Sequence, residues 1–309
     1  MLYKILFILF VLILIVDLSI FLLKFLKVRR IKKIETHTNK LISKKEYTKA
    51  EELLNKAIVK FPNDAHLHYS MGYLKYKANL IDDSIKELSY AIFLENKFSM
   101  AYYTIGYILF DKLGKNEEAK KYLNQALELN PKYEKPYNVL GVICEEEGNT
   151  QAAKDAFEKA LKINETSDTY NNLGLLYIRL GEYDKALQNL NKAIQLENNN
   201  LEAIINLGNL YGLMQDYDLS CKTLTNAEEL DKNNKYVKYW LGCVYYLKGE
   251  FKEAINKLEE GLKIDDKFAI AYLQLAMVYN KMGDKNKANE IYKYAIELDP
   301  QLKNTEKNG

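Results

Sequence analysis

Proline and cysteine are scarce in this chain, and the signatures of common enzymes are missing. Only 4 of the 309 residues are proline, so few points in the chain forbid a helix, and an all-helical protein fits. The 3 cysteines, Cys144, Cys221 and Cys243, are scattered and form no C-x-x-C pair. They read as small apolar residues within helices, not as a disulfide framework or a metal site. The 3 histidines are His37, His66 and His68. His66 and His68 lie two apart on a helix, so they point in different directions and cannot chelate together as an i, i+4 pair could. There is no P-loop, no glycine-rich dinucleotide turn after a strand and no nucleophile elbow. The acidic run Glu145-Glu146-Glu147 reads as solvated helix surface. No cofactor, metal or small-molecule substrate is implied, and the chain is expected not to be an enzyme.

Charge of one sign is also lacking overall. The formal net charge is +2. Residues 1–33 carry a net +6, leaving the remainder at −4. A mildly acidic chain beyond the N-terminus is a poor electrostatic match for nucleic acid, which is excluded as a partner.

The pattern that is present shows best in residues 167–200. Tyr170, Leu173, Gly174 and Tyr177 lie at helical spacing. Gly181 and Glu182 break the run, and Ala186, Leu190 and Ala193 mark a second one. Apolar residues three and four apart share one helix face. Small residues at Gly174, Ala186 and Ala193 let two antiparallel helices approach closely. Two helices cannot bury that face alone, so the unit needs neighbours of its own kind. The pattern recurs at about 34 residues along nearly the whole chain. Tyr137, Leu140, Gly141, Ala153, Phe157 and Ala160 repeat it; so do Ile204, Leu207, Gly208, Tyr211, Leu224 and Ala227. Leu241, Gly242, Tyr245, Ala254 and Leu258 match, with Gly261 in the last Ala position, and Tyr272, Leu275, Ala276, Tyr279, Ala288, Tyr292, Ala295 and Pro300 match almost fully.

These residues resemble the tetratricopeptide repeat. The resemblance implies an all-α protein, a right-handed α-solenoid of about eight helix-turn-helix repeats. Residues 34–302 form the array, with repeats at 65–98, 99–133, 134–166, 167–200, 201–234, 235–268 and 269–302. A degenerate first repeat spans residues 31–64. Its second helix matches through Ala50, Leu54 and Ala57, but His37 and Thr38 stand where Leu-Gly is expected. Its first helix is expected to continue from the N-terminal segment as a stem. Residues 303–309 form a polar tail expected to be disordered.

Residues 5–23 are a nearly unbroken apolar run, long enough to cross a bilayer at about 1.5 Å per residue. No A-x-A cleavage site follows it, so residues 1–33 are expected to be an uncleaved single-pass transmembrane anchor with a basic juxtamembrane segment. Lys24, Lys27, Arg29, Arg30, Lys32 and Lys33 follow the run, against Lys4 before it. The positive-inside rule then places the repeats in the cytoplasm. The same cluster would lie against anionic headgroups. Asp17, inside the run, is either a contact to another membrane helix or a partner of Lys24.

In the family, first helices of successive repeats line a concave groove that binds protein or peptide partners. Carried onto this register, the groove residues include Tyr69, Tyr73 and Tyr76 of repeat two and Tyr103, Tyr107 and Phe110 of repeat three. Asn138, Asn171 and Asn209 come from repeats four to six, and Tyr236, Tyr239 and Tyr246 from repeat seven. Tyrosine suits such a surface, because its ring offers apolar area while its hydroxyl stays hydrated. Only Lys135 and Asn138 hint at the clamp that chaperone-binding members use for a C-terminal carboxylate. The expected function is a membrane-anchored adaptor that supports complex assembly at the membrane. The alternative is an exported or periplasmic assembly or secretion factor held by an uncleaved signal anchor.

Overall fold

The computed structural model describes residues 2–303; the side chains of residue 2 and of residues 4–13 lie outside the described set. The expected disordered tail falls mostly outside it too. Lys303 closes a short 3-10 turn, and residues 304–309 are not among those described. The described residues form sixteen α-helices and no strand.

Two compact units divide the chain after Ile143, within one helix. Unit 1 holds α1 (Leu2–Ser43), α2 (Tyr47–Lys60), α3 (Ala65–Lys77), α4 (Ile81–Leu94), α5 (Ser99–Asp111), α6 (Asn116–Leu129) and most of α7 (Glu134–Glu146). Unit 2 holds α8 (Thr150–Ile163), α9 (Ser167–Arg179), α10 (Tyr183–Leu196), α11 (Leu201–Leu213), α12 (Tyr217–Leu230), α13 (Lys235–Lys248), α14 (Phe251–Ile264), α15 (Ala269–Lys281) and α16 (Lys285–Leu298).

In five of the repeats the two helices meet at a glycine. A Cβ built on Gly72 would lie 2.7 Å from Leu88 Cγ; on Gly106, 2.9 Å from Leu123 Cγ; on Gly174, 2.7 Å from Leu190 Cγ; on Gly208 and Gly242, 2.6 Å from Leu224 and Leu258 Cγ. Each leucine is fully buried in the space that the missing side chain leaves. Burying one leucine contributes about 1.5–3 kcal/mol, so the repeated contact is a large share of each repeat's stability. Two repeats carry serine where the others carry alanine. Ser84 Oγ donates to the Gly72 carbonyl at 2.7 Å and Ser220 Oγ to the Gly208 carbonyl at 2.6 Å, which satisfies both buried hydroxyls.

The turn between the paired helices passes through a left-handed residue each time. Those residues are Lys45, Asn79, Gly114, Gly148, Gly181, Gln215, Gly249 and Gly283. Left-handed backbone favours glycine, and five of these positions have it. Lys45 marks the same turn between α1 and α2.

Helix α1 is continuous through the apolar run, the basic cluster and the first helix of the degenerate repeat. Its C-terminal part turns Ile31 and Ile42 onto Ala50, Leu54, Ala57, Leu67, Met71 and Leu74. Thr38, in the place of the family's small residue, is fully buried. Nearer the N-terminus, from Leu14 to Val28, the described apolar side chains are uncovered. Leu14, Ile15, Val16, Leu18, Phe21, Leu22, Leu23, Phe25 and Val28 are all exposed. Among the described residues, no helix is long and apolar enough to cross a membrane; the expected span at residues 5–23 lies partly outside them, in the side chains of residues 5–13.

Candidate functional site

Each unit carries one aromatic surface on the first helices of its repeats. In unit 1 the rings form a continuous chain. Tyr69 stacks on Tyr73 with centroids 6.5 Å apart, Tyr73 lies 6.3 Å from Tyr76, and Tyr76 meets the edge of Tyr107 at 6.1 Å. Tyr107 stacks on Tyr103 at 6.1 Å. These separations are those of favourable offset and edge-to-face pairs. Phe110 packs with the same rings against the cluster of Leu88, Ile105 and Ile108. Each of these residues is half-buried: one side lies on the neighbouring repeat and the other stays open.

The hydroxyls and charges around these rings are organised. Tyr76 donates to Asp111 Oδ2 at 3.1 Å. Lys77 Nζ sits 5.4 Å from the Tyr73 centroid and 5.1 Å from that of Tyr76, within cation–π range. Burial, then the neighbouring Tyr107 and Asp111, pushes the Tyr76 phenol up, and burial does the same to Tyr103 and Tyr69. These phenols therefore stay protonated and present donors.

In unit 2, Tyr236, Tyr239 and Tyr246 lie on α13. Tyr236 is the most open, at 51% exposure. Tyr239 and Tyr246 pack against the cluster of Ala254, Leu258 and Leu275. Lys235 Nζ lies 5.1 Å from the Tyr236 centroid and pairs with Asp265 at 2.5 Å. Tyr239 meets the edge of Trp240 at 5.1 Å. Burial, then Cys243, raises the Tyr239 phenol, and burial pushes the Cys243 thiol up to about 12. Cys144, Cys221 and Cys243 form no disulfide among the described residues.

The asparagines are placed differently. Asn138 and Asn209 are half-buried on α7 and α11. Asn171 corrects the sequence reading: it is only 2% exposed, and its Oδ1 accepts from Asn206 Nδ2 at 2.8 Å. Its polar atoms serve the joint between α9 and α11 instead of an open groove.

Three aromatic residues of these surfaces escape a reading confined to the first helices. Phe98, Tyr133 and Phe268 immediately precede α5, α7 and α15. The corresponding position is Asp64, Thr166, Asn200 or Asn234 in other repeats, and the last three cap their helices through the side chain. An N-cap bond contributes about 1 kcal/mol, which Phe98 and Phe268 forgo. In exchange each aromatic closes on the tyrosine of the preceding first helix. Phe98 lies 5.1 Å from Tyr69, Tyr133 lies 5.2 Å from Tyr103, and Phe268 lies 5.7 Å from Tyr239. The signal was legible as an aromatic ring where a capping residue belongs.

Comparison with known proteins agrees with this architecture. Family models described as "Tetratricopeptide repeat" match residues 101–133, 135–167, 201–234 and 269–302, and residues 167–200, and one described as "TPR repeat" matches residues 242–283. The chain belongs to the tetratricopeptide repeat family. It is 32% identical over 90 residues to the BBSome complex member BBS4 of Bos taurus, covering 29% of this chain and 17% of that protein. It is 29% identical over 149 residues to the tetratricopeptide repeat-containing protein trd-1 of Caenorhabditis elegans, covering 48% of this chain and 18% of that one. The chain thus spans less than a fifth of these curated relatives. Among solved structures, the anaphase-promoting complex hetero-tetramer Cut9-Hcn1 matches with a TM-score of 0.72 at 21% identity, over 79% of this chain and 48% of that one. That likeness shows the fold. Repeats of this family imply protein partners.

Proposed function

We propose that the protein is a membrane-anchored adaptor, not an enzyme, which binds a peptide segment of its partners on the aromatic surface of unit 1. The observation that carries the reading is the unbroken chain of half-open rings from Tyr69 to Tyr103. Tyrosine loses little side-chain freedom on binding and is enriched among residues that dominate interface energies. The unit 2 surface around Tyr236 is a second, smaller contact. The anchor reading is supported by the 19-residue apolar run, the basic cluster after it and the exposure of the apolar side chains between Leu14 and Val28 of α1. That charge asymmetry favours repeats on the cytoplasmic side.

Partner capture from detergent-solubilised membranes tests this. Tyr73→Ala and Tyr236→Ala are expected to weaken a captured partner by about 1–2 kcal/mol each with little change in melting temperature. Tyr103→Ala, more deeply packed, is expected to cost stability as well, by a few kcal/mol (about 2–4). Unchanged capture by both of the first two variants would discard the aromatic surfaces as binding sites. Release of the protein by alkaline carbonate would discard the anchor. Digestion of the repeats by protease added outside intact cells would favour the exported alternative.

A further inference from the structure

Val59 and Phe93 are the most exposed large apolar residues of the described repeats, at 85% and 79%. They occupy one register position, fourteen residues after the left-handed turn residues Lys45 and Asn79. In the other six repeats that position is Glu128, Lys162, Gln195, Glu229, Lys263 and Glu297, all exposed. The solvent-facing position is therefore polar everywhere except in the two repeats that follow α1. An exposed apolar pair confined to that end marks an interaction surface.

The chain path says which way this surface looks. Helix α2 returns antiparallel to the end of α1, so its C-terminus lies beside the basic segment. Lys27 Nζ bonds Asp64 Oδ2 at 2.9 Å and lies 5.6 Å from the Phe61 ring. The next inter-repeat loop is tied to the first: Phe98 lies 4.7 Å from His66. Val59 and Phe93 each stand one residue before the last of α2 and α4, next to these loops. Tyr90, a turn earlier, stacks on Phe93 at 5.9 Å.

The height of this edge follows from α1. Four residues separate Leu23, the end of the apolar run, from Lys27, which is about 6 Å of helix. The headgroup layer of one leaflet is about 5–8 Å thick. Lys27, and with it the loop at 61–64, falls within that layer if α1 spans the bilayer. Lys56, Lys60 and Lys97 lie exposed on the same edge, with Arg29 and Arg30 of α1; Glu95 is the opposing acid and Asp64 is already engaged by Lys27.

We propose that this edge of unit 1 rests on the membrane, with Val59 and Phe93 inserted at the headgroup–acyl boundary and the lysines on anionic phospholipid. The proposal rests on the anchor reading above. It makes α1 and the first two repeats one lipid-seated body, with no flexible linker between bilayer and array. Two independent features of the edge fit this occupant: apolar and aromatic side chains of the kind that enter the interface, and flexible lysines that reach headgroups while their stems cover apolar surface.

The test uses the full chain in phosphatidylcholine–phosphatidylglycerol vesicles with bromine on the acyl chains. Trp240 is the sole native tryptophan, so subtracting the parent spectrum isolates the indole of Phe93→Trp or Val59→Trp. The expected result is flotation with the vesicles, a blue-shifted new emission, and loss of roughly half of it to bromine, as an indole at the acyl boundary requires. Flotation with a red-shifted, unquenched indole would overturn the seated edge and leave the anchor standing. An indole shielded from acrylamide yet untouched by bromine would place a second copy of the chain on the face and overturn lipid as its occupant. Failure to float would overturn the anchor and the edge together.

Discussion

Replacing Gly208 by alanine sets two known effects against each other. Alanine is the better helix former by about 1 kcal/mol, so an open site would gain that much. At Gly208 the new Cβ would sit 2.6 Å from Leu224 Cγ, about 0.8 Å inside the 3.4 Å at which ordinary contact begins. Leu224 cannot swing aside, because it is fully buried among Ile204, Ala227 and Leu241. Overpacking of this kind costs about 1–3 kcal/mol, towards the upper end where no void takes up the strain. The net expectation is a loss of about 1–2 kcal/mol. Gly212, one turn further along α11, makes the matched control. Its added Cβ would meet Ser220 Oγ at 3.5 Å and Val244 at 3.7 Å, so Gly212→Ala should gain up to about 1 kcal/mol. Leu224→Ala alone should cost about 2–5 kcal/mol, and Gly208→Ala added to it should become stabilising. The coupling between the two sites is then about 2–3 kcal/mol. Urea titration followed by Trp240 fluorescence reads this region, since Trp240 packs on the cluster that contains Leu224. A neutral or stabilising Gly208→Ala in the parent chain, with Leu224→Ala costing what is expected, would refute the close-approach account.

Three further outcomes are expected. Gln215 holds the left-handed turn with φ 64, so Gln215→Gly should raise stability by about 1 kcal/mol, whereas Gly249→Ala, at φ 79 with nothing near its Cβ, should lower it by about as much; thermal melts check both. His66 lies 3.4 Å from Glu35 of α1, and the hydrogen bond to that carboxylate raises its pKa. Its contribution is therefore fully present below about pH 6.5 and is lost as pH rises through the folded value; His66→Gln should flatten that part of the stability–pH curve. Lys238, 9% exposed, bonds Glu228 and, at 2.6 Å, Glu260, and Lys257 bonds both acids. Burial opposes the charge on each acid, but the hydrogen bonds from the lysines outweigh it and hold both carboxyls below the usual range. That support exists above their unfolded pKa, about 4.3, and is lost as pH falls through the folded values; Lys238→Met should cost about 1–3 kcal/mol at pH 7, less than a wholly buried pair because the acids keep some water. Urea midpoints at pH 7 and pH 4 check it.

Much of the fold was legible in the residues. Gly174 and Leu190 announce a close helix pair because a side chain is missing on one helix and a large one is present on the other. The turn residue Gly181 announces the reversal between them. The candidate surface was legible in part. Tyr69, Tyr73, Tyr103 and Tyr107 share a register, and the register alone brings their rings into line. Asn171 shares it too, yet it is buried. What separates the two cases is the neighbouring helix: Asn206 reaches Asn171 across the α9–α11 joint, and no property of Asn171 by itself foretells that.

The sequence by itself determined the repeat, the helical pairing within it and the unusual composition of its ends, since these depend on spacing along one chain. Tertiary structure alone decided how Lys238 finds acids on α12 and α14, how Phe98, Tyr133 and Phe268 close onto tyrosines one helix pair earlier, and that Lys27 ties the basic segment to Asp64. Each of these joins residues from helices that only stacking brings together. Their distances are set by how neighbouring helix pairs pack, and a periodic pattern fixes which residues face a neighbour without fixing which of them touch.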